Sequence, residues 1–154
     1  MNQQANAKFN IRVYGLFVNK EDEVLLTDEF QLNTKMTKFP GGGLQFGEGT
    51  IDCLKREMQE ECDQEIEQIV HFYTTDFYQK ARYFKNQQLI SIYYQAMLKP
   101  PVNFKISVKA FDFPELKNGN QSFRWVKIKE LKADELSFPI DKHVANLLIQ
   151  QTEE

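Results

Sequence analysis

The chain predicts an α/β fold in which a mixed β-sheet lies between helices. Strand-forming and helix-forming segments alternate along the 154 residues without an internal repeat. Only two segments carry an apolar stripe at helical spacing, near residues 50–62 and 141–150, while several others are rich in β-branched and aromatic residues. No linker divides the chain, and its length is near that of one ordinary domain, so residues 1–154 are expected to form a single domain with its own core.

Taken in order, residues 9–18 are strand-like, and the turn Asn19-Lys20-Glu21-Asp22 leads into a strand at 23–27, which predicts a hairpin-like start. Lys38-Phe39-Pro40 is extended, because proline disfavours the helical region for the residue before it, and this delivers the chain into three glycines. Thr50 is the expected N-cap of the first helix, with Asp52 suiting the positive end of the helix dipole, and the helix runs to about Cys62. Two long β-prone stretches follow at 66–78 and 87–98, with a turn near Lys85-Asn86. Pro100-Pro101 opens a poorly patterned stretch to Gln121, interrupted at 104–111. A last strand occupies 123–128, and 141–150 form an amphipathic helix with Val144, Leu147 and Leu148 on one side.

Composition narrows the function. A formal net charge of −3 supplies no basic field, which argues against DNA or RNA as a partner. The N-terminal residues are polar, without the apolar core of a secretory signal, and no apolar run approaches the roughly 18 residues of a membrane helix. A cytoplasmic protein with no membrane partner is expected. Cys53 and Cys62 share the first helix, about 13 Å apart along its axis and on opposite sides, so they cannot bridge each other. Without histidine neighbours they make no zinc site, and they read as small apolar fillers in a reducing compartment.

The chemistry concentrates in residues 41–61, GGGLQFGEGTIDCLKREMQEE. At about 100° per residue, Glu57, Glu60 and Glu61 fall on one arc of roughly 100°, while Ile51, Leu54, Met58 and Cys62 form a second stripe roughly 115° away. One face can pack on a sheet while its neighbour presents three carboxylates. Such acids are often only a solvated surface. Here, three like charges at i, i+3 and i+4 cost a free helix a few tenths of a kcal/mol per pair, a sign that a bound cation would reverse. Magnesium takes oxygen ligands and usually keeps several waters, so carboxylates plus substrate phosphate oxygens suit it, with Mn²⁺ a second candidate. Gly41, Gly42 and Gly43 let the backbone approach a cation and phosphates closely, although a glycine run on its own is often just a turn. Glu48 precedes the helix, where it could orient the loop or support the metal shell.

Written from Gly42, the pattern is G, five residues, E, seven residues, then Arg56-Glu57-Met58-Gln59-Glu60-Glu61. It resembles the signature box of the Nudix hydrolases, which cleave nucleoside diphosphates linked to another group, and spans residues 42–64. The resemblance implies an α/β/α sandwich and a phosphoanhydride hydrolase dependent on Mg²⁺. It implies a metal shell of the Gly42 carbonyl with Glu57, Glu60 and Glu61, and an Arg56 that orients carboxylates through a bidentate contact. One of Glu60 and Glu61 would act as general base, drawing the proton from a metal-bound water. In some members the base comes from a loop before the last strand, where Glu115 and Asp112 stand here; ordinary loop acids are an equal reading of that pair. The box departs from the family at its end, where Asp63 replaces the usual glycine and Gln64 an apolar residue. This puts the helix end in question and leaves every expected ligand in place.

Substrate contacts are less specific. Arg12, Lys38 and Arg82 are candidate phosphate contacts, as are the backbones of Gly41 and Gly43. Tyr78 lies near the tyrosine that marks family members acting on dinucleoside polyphosphates. The implied partner is a small nucleotide, either a nucleoside triphosphate or a nucleoside diphosphate joined to a sugar. Homodimers are common in the family. A second class stays open, a non-catalytic Nudix-like module that binds or senses a nucleotide.

Overall fold

A computed structural model describes residues 6–154; residues 1–5, on which part of the polar N-terminal reading rests, lie outside the described residues. The strands are β1 (Lys8–Phe17), β2 (Glu23–Gln31), β3 (Thr34–Lys38), β4 (Gly41–Gly43), β5 (Ile66–Thr74), β6 (Gln87–Leu98), β7 (Ile106–Ser107) and β8 (Gln121–Lys127). The helices are α1 (Thr50–Cys62) and α2 (Pro139–Glu153). The mixed sheet is realised as two four-stranded sheets, ordered β4-β1-β6-β5 and β3-β2-β8-β7. Each contains one parallel pair, β1 with β6 and β7 with β8.

The first two strands do not form the expected hairpin. Residues 13–17 of β1 and 24–29 of β2 are buried, so each strand needs a neighbour on both edges and finds it in its own sheet. Between β1 and β2 only the Val18–Val24 bridge remains. Asn19 builds the crossing, its side-chain oxygen accepting the Glu21 and Glu23 amides at 3.0 Å each. The true hairpin joins β2 to β3 through Leu32 and Asn33, at φ 50° and 57°, both in the left-handed region that a two-residue turn of this hand requires.

Side-chain alternation divides the core in two. Val13 and Phe17 of β1 and Leu25 of β2 face α1, where they join Cys53, Leu54 and Met58. Tyr14 and Leu16 of β1 and Val24 and Leu26 of β2 face α2, where they meet Ile140, Val144, Ala145 and Leu148. Burial of Leu54, Met58 and Leu148 stabilises by roughly 1.5–3 kcal/mol each. Leu147 is only half buried, and Ile51, expected in the packing stripe of α1, is 38% exposed while Cys53 takes its place.

Helix boundaries are corrected in detail. Gly49, not Thr50, occupies the N-cap; Thr50 is already helical, and its hydroxyl bonds Tyr94 of β6 instead of capping. Asp63 closes α1 in the left-handed conformation (φ 52°, ψ 45°), as a glycine would. β5 stops at Thr74 rather than Tyr78, because the chain turns where the Tyr73 hydroxyl donates to Asp76. No helix among the described residues is long and apolar enough to cross a membrane.

Candidate active site

β4 and α1 meet where the glycines face the acids. Val13 of β1 pairs with Gly42, which brings Gly42 against Glu57. A β-carbon on Gly42 would stand 2.5–2.6 Å from the Glu57 carboxyl atoms, so any side chain there would displace Glu57. Gly41 has φ 147°, a region that side-chain-bearing residues rarely adopt. The Gly43 carbonyl accepts a hydrogen bond from Arg56 at 3.0 Å.

Arg56 is the hub of this face. Its Nε and Nη2 grip Glu48 in a bidentate contact at 2.9 and 2.7 Å. Its Nη1 donates to Glu57 at 3.0 Å and to Glu60 at 3.1 Å. One guanidinium therefore ties the end of β4 and the loop bearing Glu48 to two acids of α1. Hydrogen bonds from Arg56 and the Gln45 amide hold the Glu48 carboxyl down to about 2. Hydrogen bonds to Glu48 and Glu57 push the Arg56 pKa further up.

Glu61 stands apart. Its Oε1 accepts from Gln121 Nε2 at 3.3 Å, and its Oε2 is buried without a partner. Burial, assisted by the charges of Glu29 and Glu57, pushes this carboxyl up to about 7 against the opposing pull of Lys38 and Gln121. Among the described residues no three carboxylate, imidazole or thiol side chains converge as a ready-made metal cage, since Arg56 engages Glu57 and Glu60 while Glu61 turns to Gln121. The donors nonetheless fit a hard cation. They are all oxygens, one is orphaned, and Gly42 leaves room for a close backbone approach.

A cavity of about 260 Å³ is lined by Arg12, Lys38 and Arg82 and not by the box acids, although the charge of Glu57 reaches Arg12 and that of Glu61 reaches Lys38. Arg12 donates to the Tyr14 hydroxyl at 2.6 Å, and Arg12 and Lys38 stand 5.7 and 5.8 Å from the Tyr14 ring. Lys38 also pairs with Glu29 at 3.5 Å. Arg82 lies over the rings of Tyr83 and Phe138 and bonds the Ser137 carbonyl at 3.2 Å. Asp141 in the same wall is 2% exposed and accepts from the Tyr93 hydroxyl. Burial raises its carboxyl to about 6.

The remaining candidates fall elsewhere. Tyr78 is 69% exposed and lines a separate cleft with Lys8 and Phe9. Glu115 is exposed on its loop, and Asp112 is paired with Lys105 at 3.4 Å and Lys109 at 3.8 Å. Sequence reasoning missed Thr27, Glu29, Gln121 and Asp141. The sign available was polarity inside buried segments: Thr27 and Glu29 are embedded in a strand otherwise dense in apolar residues.

The NUDIX domain family matches residues 8–147. Among curated proteins none is significantly similar. Solved structures share the fold. The MutT described from Aliivibrio salmonicida and Vibrio cholerae is 22% identical, with TM-score 0.63, covering 94% of this chain and 99% of that one. A NUDIX hydrolase from Nitrosomonas europaea is 17% identical, with TM-score 0.66, over 94% and 90% of the two chains. The E. coli ORF135 protein is 14% identical, with TM-score 0.66, over 96% and 94%. With a family match over almost the whole chain, the chain belongs to the NUDIX domain family and is a Nudix-type pyrophosphohydrolase.

Proposed function

We propose that the protein hydrolyses a phosphoanhydride bond in a small nucleotide, with Mg²⁺ held by the Gly42 carbonyl, Glu57, Glu60 and Glu61. Mn²⁺ satisfies the same oxygen donors. The observation that carries this reading is Glu61, a largely buried carboxylate with one oxygen anchored and the other unpartnered, close enough to Glu57 to feel its charge. When bound, Mg²⁺ supplies charge neutralisation for the diphosphate and acidifies a water ligand.

The protein's own residues do the rest. Glu61 Oε2, buried and unpartnered, is the oxygen offered to the metal, and Glu60, which Arg56 engages through Oε2 alone, keeps its other oxygen to accept the proton of the attacking water. Arg12 and Lys38 bring positive charge to the side of the cavity nearest the acids, where the phosphates belong. Tyr83 and Phe138 offer flat apolar faces further along the same cavity, suited to the base or to another ring of the substrate. The substrate is a nucleoside triphosphate or a nucleoside diphosphate joined to a sugar.

The test is turnover on a nucleotide panel with Mg²⁺, with Mn²⁺ and without metal. Glu61→Gln is expected to lower kcat by on the order of 100-fold or more with the fold intact. Glu115→Gln tests the loop acid in the same assay. Pyrophosphate with a nucleoside monophosphate identifies triphosphate substrates, and two monophosphate products identify a diphosphate joined to a sugar. Wild-type turnover in both Glu60→Gln and Glu61→Gln would sink the assignment.

A further inference from the structure

Gln121 opens β8 directly opposite Glu29 of β2, so sheet register fixes where its side chain begins. Its Nε2 lies 2.9 Å from Thr27 Oγ1, 3.3 Å from Glu29 Oε2 and 3.3 Å from Glu61 Oε1. Three acceptors around one atom, two of them carboxylate oxygens, settle the orientation of the amide: the opposite flip would set its oxygen against two carboxylates. Glu29 is independently secured. The Thr27 hydroxyl donates to it at 3.3 Å, the Lys38 ammonium stands at 3.5 Å, and the residue is 7% exposed. Glu61 has no such set of partners. Its Oε1 depends on Gln121, and its Oε2 has nothing.

A glutamate near the end of a helix, facing the negative charges of Glu29 and Glu57, would otherwise sample several rotamers and turn away from both. An amide held between Glu29 and Glu61 offsets part of that repulsion and selects one rotamer. We propose that Gln121 is a positioning residue whose hydrogen bond to Glu61 Oε1 aims Glu61 Oε2 at the metal. The inference rests on the metal-dependent reading above. Gln121 touches neither substrate nor metal; it acts through Glu61, with Thr27 and Glu29 accepting from its amide and Lys38 holding Glu29 in turn.

The test replaces Gln121 by methionine, which keeps the length and removes the donor, and measures Mn²⁺ binding to the substrate-free enzyme by electron paramagnetic resonance. Loss of a group that orients a metal ligand costs about 10–100-fold in metal affinity, and a rise of that order in the Mn²⁺ Kd is expected. The value of kcat is expected to fall while KM for the nucleotide stays unchanged, because Arg12 and Lys38 are untouched. Gln121→Asn keeps the amide but withdraws it by one methylene, is expected to shift the Kd in the same direction, and decides the matter if the methionine variant does not fold. Mn²⁺ affinity equal to wild type in a folded variant overturns the positioning role and leaves the metal-dependent reading standing. A wild-type enzyme that binds no Mn²⁺ overturns both.

Discussion

At Gly42 the missing side chain matters for the space it leaves: the Glu57 carboxyl fills what a β-carbon would occupy. The obstacle is the far end of a flexible side chain and not backbone, so an alanine there displaces Glu57 more readily than it unfolds the protein. Displacement is costly for chemistry, since a shift of about 1 Å in a reacting group can cost on the order of 100-fold in rate. Gly42→Ala is therefore expected to lower kcat by about that factor while the thermal midpoint moves little, checked by steady-state kinetics beside thermal denaturation. A large fall in the midpoint with kcat preserved would show that Gly42 serves packing alone. Arg56 differs from Gly42 in being defined by what it holds: its contacts to Gly43, Glu48, Glu57 and Glu60 explain why the box places one arginine directly before the acids.

The end of α1 shows how an element absorbs a departure from its family's pattern. Asp63 adopts the left-handed conformation, and its amide reaches back to Gln59, so the helix stops where a glycine would stop it. Gln64, in a place usually apolar, is 1% exposed yet fully employed. Its amide nitrogen donates to the carbonyls of Glu65 at 2.9 Å and Lys99 at 2.8 Å, and its oxygen accepts the Asn103 amide at 2.9 Å. A polar side chain has replaced an apolar one because it ties the segment after β6 to the helix end. Gln64→Leu would restore the apolar pattern and strip those backbone groups of this partner. Losing such a partner costs about 1–3 kcal/mol per buried group, and part of that is offset by the extra apolar burial. A net loss of about 2 kcal/mol corresponds to roughly 4–8 °C in Tm for a domain of this size, with kcat unchanged. A variant as stable as wild type would show that these hydrogen bonds contribute nothing net. The extent of α1, β6 and α2 follows from local period, but the β2–β3 hairpin carries Leu32 where glycine or asparagine is usual and so left no turn pattern to read.

Across the whole molecule, the two helices cover opposite faces of sheets that pass through the centre, and the candidate site forms where α1, β4 and the Glu29–Gln121 end of the β2–β8 pair come together. The acids of the box can be read as a group because they recur at i, i+3 and i+4 on one helix. Gln121 and Glu29 cannot, because only strand register brings them beneath Glu61. Asp141 is a third such residue, and it links the layers: it sits in the first turn of α2, accepts from Tyr93 of β6 and the Phe39 amide, and feels the charges of Lys38 and Arg12. Its carboxyl rises from an ordinary 3.8 to about 6, with burial as the largest cause. The folded state thus holds a proton that the unfolded chain has already released between these two values. In that window the unfolding free energy falls as pH rises, and above the folded pKa the burial of the charged form persists as a fixed cost. At about 1.4 kcal/mol per pKa unit the full change is on the order of 3 kcal/mol, with no discount for solvent because the side chain is 2% exposed. Glu61 adds a change of the same sign at somewhat higher pH, so the contribution of Asp141 is isolated by difference. Asp141→Asn keeps the shape and removes the titration. Denaturant unfolding from about pH 4 to pH 7 is expected to show wild-type stability declining relative to the variant by on the order of 3 kcal/mol, most of it below pH 6.5. Parallel pH profiles for the two proteins would mean that Asp141 enters the core already ionised, its burial compensated by Lys38, Arg12 and its two hydrogen bonds.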